Sequence, residues 1–95
     1  MLVSDDLLKL FKTSIGDFNQ INIMDEYYKT FLTMAINDLA SDDISDIQLM
    51  TTLGQTTICL YAEALMNKTD IATNPTITLL RNKLSDMTKG DRFNV

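Results

Sequence analysis

The chain has 95 residues, 45% of them apolar, and sets 13 acids against 8 bases for a net charge of −5. That length predicts one domain, burying roughly 60–65% of the surface of its unfolded form, and the acidic balance argues against a protein whose main task is gripping nucleic-acid phosphates. There is no histidine, no tryptophan and a single cysteine, Cys59, which excludes an intramolecular disulfide, a thiolate zinc site and a Cys–His dyad.

The opening Met1-Leu2-Val3-Ser4-Asp5-Asp6 has neither the basic nor the apolar region of a signal peptide. No apolar run approaches the 18 or so residues of a membrane span. The expectation is a soluble protein of a reducing compartment.

Four helical segments are expected, and β alternation is weak throughout. The first covers residues 4–15. Ser4 suits the N-cap, and Asp5 and Asp6 suit the positive end of the helix dipole. Leu7, Leu8, Phe11 and Ile15 share one face. Gly16 follows as a left-handed stop. Residues 17–23 have no period and read as a loop, with Phe18 and Ile21 expected to tuck into the core.

The second helix covers residues 24–40. Met24, Tyr28, Phe31, Leu32, Ala35 and Leu39 form its stripe. A polar turn leads to a third helix over residues 45–66, capped by Ser45 or Asp43. Met50, Leu53, Gly54, Thr57, Ile58, Tyr61 and Leu65 form its stripe, with Ile47, Leu49 and Leu60 off it. Glu63 is its one charge between Ile47 and Met66. A helix apolar almost all round is a buried one, so this segment is expected to be the central rod. Gly54 is expected to allow a close helix crossing, and Asn67 to end the helix in a left-handed conformation.

Asn74-Pro75 starts the fourth helix, with asparagine at the N-cap and proline at the first helical position. Ile77, Leu80, Leu84 and Met87 form its stripe. Gly90 is the expected stop, and residues 91–95 the expected tail. The fold class is therefore all-α, a single four-helix domain around a long buried central helix at residues 45–66.

Few groups suggest chemistry. Asp38, Asp42, Asp43 and Asp46 cluster at the second turn, but their spacing lacks the alternating acids and glycine of a calcium loop. Capping and solubility explain them. Asp25 and Glu26 fit the start of a helix better than a catalytic pair. Cys59 sits in the most apolar helix and reads as a small buried hydrophobe. No phosphate loop and no Ser/His/Asp set is present. The expectation is a protein that is not an enzyme and takes no metal, cofactor or small-molecule substrate.

Contact with other proteins has more to recommend it. Residues 1–46 carry nine acids and three bases, and residues 67–95 carry three acids and five bases. A subunit with an acidic front and a basic rear suits head-to-tail contact with a copy of itself. Tyr27 points off the stripe and Phe93 has no evident core partner, so both are candidate contacts. With Asp38, Asp42, Asp43, Arg81 and Lys83 they make up the candidate interface. A small helical protein also invites a helix-turn-helix reading, but the last helix offers only Arg81, Asn82 and Lys83 on its outer face.

The layout resembles a known family, the small all-helical head–tail connector (adaptor) proteins of tailed bacteriophages and prophages. The resemblance is carried by the short opening helix Asp6-Leu7-Leu8-Lys9-Leu10-Phe11 and by Asp25-Glu26-Tyr27-Tyr28 leading into a long helix through Ala35. It is carried further by Leu60-Tyr61-Ala62-Glu63 in the central helix and by Pro75-Thr76-Ile77-Thr78-Leu79-Leu80-Arg81 in the last one. It covers residues 4–90. The chain departs from the family at Asn19-Gln20-Ile21-Asn22-Ile23-Met24, where a run of acids is usual, and at Asp38-Leu39-Ala40, which lacks an aromatic-Thr-Gly ending.

The resemblance implies a virion protein at the head–tail junction, made in the bacterial cytoplasm. It would oligomerise into a ring, commonly of twelve subunits, below the portal and dock tail-completion proteins. It would bind no specific nucleic-acid sequence and no membrane. The alternative is a small regulatory protein that binds DNA or a repressor through its last helix.

Overall fold

The structure, a computed structural model, describes residues 1–19 and 21–93, without the side chains of Arg92 and Phe93. The described residues form five α-helices and no strand: α1 (Asp5–Ser14), α2 (Asp25–Ser41), α3 (Asp46–Leu49), α4 (Thr52–Met66) and α5 (Pro75–Phe93). Short 3-10 turns precede α2 (Asn22–Met24) and α5 (Ile71–Thr73).

Helix starts follow the local chemistry. Ser4, Ser45, Thr51 and Asn74 each accept a hydrogen bond from the backbone N–H three residues on, satisfying a donor that the first turn leaves orphaned. Three helices end on a left-handed residue. Gly16 (φ 79°) follows α1, Asp43 (φ 67°) follows α2 and Lys68 (φ 57°) follows α4. After α4 the Lys68 N–H donates to the Leu65 carbonyl and the Thr69 N–H to the Ala64 carbonyl, which closes a Schellman motif. The left-handed position therefore falls on Lys68 rather than on Asn67, which has φ −85° and is the last half-helical residue.

α4 is the hub, packing on all four other helices. Phe11, Leu32, Leu39, Leu49, Ile58, Ile77 and Leu84 are essentially removed from solvent around it. The all-α fold is as the residue pattern predicts. The expected rod over residues 45–66, however, is two helices. Met50 and Thr51 break it, and Thr51 caps α4 by accepting from the Gly54 N–H at 3.1 Å. Gly54 permits this fold-back of α3. A Cβ there would lie 2.5 Å from the Leu49 carbonyl oxygen and closer still to that of Gln48. The close approach is to the end of α3, the short helix immediately before α4.

The break turns Ile47 and Met50 out to solvent, so Met50 leaves the core stripe. Met24 and Met87 also stand at the margin of the core, each 40% exposed. Phe18 and Ile21 do not tuck in: their place is filled by Phe11 and Tyr28, packed edge to face at 5.6 Å.

α5 runs through Gly90 to Phe93, past the expected stop. Its end is tied down by α3. The Ser45 N–H donates to the buried Thr88 hydroxyl at 3.2 Å, and the Gln48 side-chain amide donates to Asp91. Residues 91–93 of the expected tail are thus helical, while residues 94 and 95 lie outside the described residues.

Candidate partner-docking surface

The α1–α2 connection is anchored at both ends and apolar between. Gly16 reverses the chain, and the Asp17 carboxylate accepts from the Asn19 N–H at 3.0 Å and from the Tyr28 hydroxyl at 2.6 Å. Lys12 of α1 pairs with Asp25 at the start of α2 at 2.9 Å. These bonds fix the ends of the connection, while Phe18 (77% exposed), Ile21 (66%) and Ile23 (84%) face solvent. Met24 and Tyr27 extend the exposed surface onto the start of α2. Tyr27 packs its ring edge to face on Phe31 at 5.0 Å, so it is braced as well as exposed. A cleft of about 650 Å³ runs between α1 and this connection, lined among others by Leu8, Lys9, Lys12, Asp17 and Phe18.

The Tyr28–Asp17 bond shifts both groups. The phenol holds the Asp17 carboxyl below its ordinary range, with help from the Asn19 N–H. The carboxylate, together with burial, pushes the Tyr28 hydroxyl up to about 12.

A second cluster gathers three of the candidate interface residues. The Tyr61 hydroxyl donates to Asp38 at 3.0 Å. The Arg81 guanidinium lies over the Tyr61 ring, 5.9 Å from its centroid, and pairs with Asp42. Burial first, and then the Asp38 bond, raise the Tyr61 pKa. Tyr61 is the centre of this network, though its place on an apolar stripe marks it only as core. A cleft of about 390 Å³ opens beside it, lined by Asp42, Thr78, Arg81, Asn82 and Ser85.

The other candidate residues are dispersed. Asp43 occupies the left-handed turn after α2, and Lys83 is exposed on α5. The Phe93 side chain lies outside the described residues. The acidic cluster does not converge: Asp38 meets Tyr61, Asp42 meets Arg81, and Asp46 meets the Met1 ammonium at 3.2 Å. Among the described residues no group of three or more acids or cysteines is placed to hold a metal ion. Nor is any helix among them long and apolar enough to cross a membrane.

Cys59 is buried in α4 beside a cavity of about 110 Å³ lined by Leu10, Ser14, Thr56 and Leu60. Burial, and secondarily the Glu63 charge, push its thiol up to about 11, which keeps it protonated and a poor nucleophile near neutrality.

Comparison with protein-family models, with curated proteins and with solved structures finds no match to this chain.

Proposed function

We propose that this chain is a structural subunit of the phage head–tail connector type, acting by self-assembly and docking rather than by catalysis. The observation that carries this reading is the anchored, solvent-facing apolar connection of Phe18, Ile21, Ile23, Met24 and Tyr27. Single exposed apolar residues are ordinary, but three on one short connection, with two more at the start of the helix that follows, suit a surface that meets another protein. The short opening helix, the 17-residue second helix and the last helix begun by Pro75 support the resemblance, whereas its long central helix is divided here into α3 and α4.

In this reading the subunits form a ring below the portal and present a platform to tail-completion proteins. Asp42 and Arg81 satisfy each other within one subunit, so the apolar connection supplies more of the docking energy than the contrast of acidic front and basic rear. The regulatory reading has less support, because Arg81 is turned to Asp42 and Tyr61, which leaves Asn82, Lys83 and the more distant Lys89 as the exposed groups of α5 that a duplex would meet.

Native mass spectrometry with the portal protein encoded alongside this chain tests the proposal. The expected result is a ring of chain subunits bound to the portal ring, with no duplex binding at near-physiological salt. A micromolar, salt-sensitive affinity for duplex DNA without portal binding would transfer the assignment to the regulatory class.

A further inference from the structure

We draw no further inference here: the strongest candidate, the cleft of about 650 Å³ between α1 and the α1–α2 connection, carries none, because the Asp17 and Asp25 carboxylates in its wall are already bonded to Tyr28 and Lys12 and nothing in the structure shows what covers it.

Discussion

Gly54 and Gln48 are six residues apart, and the missing side chain of the one is the seat of the carbonyl oxygen of the other. This contact converts a stretch patterned as one helix into two, α3 and α4. Alanine in an unobstructed helix is favoured over glycine by about 1 kcal/mol. Here the added Cβ would press on backbone that cannot move aside without displacing the buried Leu49. Gly54→Ala is therefore expected to destabilise the fold by about 2–3 kcal/mol, measured by urea denaturation. Unchanged or higher stability would mean that the fold-back of α3 is not fixed by this contact.

The Asp17–Tyr28 bond makes stability depend on pH at both extremes. The folded-state pKa of Asp17 is depressed, so its contribution is present above the ordinary carboxylate value of 3.8 and is lost as pH falls through the lower folded value. The Tyr28 pKa is raised from 10.0 to about 12, so its contribution is present below 10 and is lost as pH rises toward 12. Asp17→Asn should lower the melting temperature between about pH 5 and pH 9, with the difference from the parent shrinking outside that window. An absorbance titration of the phenolates should find the Tyr28 ionisation near 12 in the parent. A pH-independent difference between the two proteins would count against the bond.

Arg81 joins α5 to both α2 and α4 through Asp42 and the Tyr61 ring. Both ion-pair partners are part-exposed, so the effect is modest. Arg81→Ala is expected to cost about 1 kcal/mol. Arg81→Lys should recover less than half of that, because an ammonium lacks the flat face that lies over the ring. Full recovery by lysine would reduce the interaction to simple charge.

Cys59 should resist thiol reagents. Its raised pKa and burial predict that iodoacetamide at pH 7.5 labels the native chain at least about 100-fold more slowly than the chain in urea, since labelling requires an opening of α4. Comparable rates would mean that the cavity beside Leu10 and Thr56 admits the reagent.

Lys68 is left-handed, a conformation that costs a non-glycine residue about 1 kcal/mol. It is exposed, with φ 57°. Lys68→Gly should stabilise the chain by about 0.5–1 kcal/mol, or roughly 4 °C in melting temperature. Destabilisation would mean that the lysine side chain does more here than the backbone strain costs.

The fold class, the capped starts of α1, α3 and α5 at Ser4, Ser45 and Asn74, and the apolar faces of α1, α2, α4 and α5 were legible from the residues. Each depends on neighbours within a turn: a cap oxygen three residues from its N–H, or apolar side chains repeating on one face. The break at Met50 and Thr51 was not legible, because an apolar run is equally compatible with a straight buried helix and with one folded back on itself. The contact between Gly54 and a carbonyl outside its own helix decides between them.

The same limit applies to the surface. Tyr27, Asp38, Asp42 and Arg81 could be singled out one by one, but not the network that joins the last three through Tyr61, residues separated by up to 43 positions. Whether Phe18 and Ile21 lie in the core or in water is decided by which apolar groups fill a finite interior. Phe11 and Tyr28 fill it, and no local pattern in the chain records that competition.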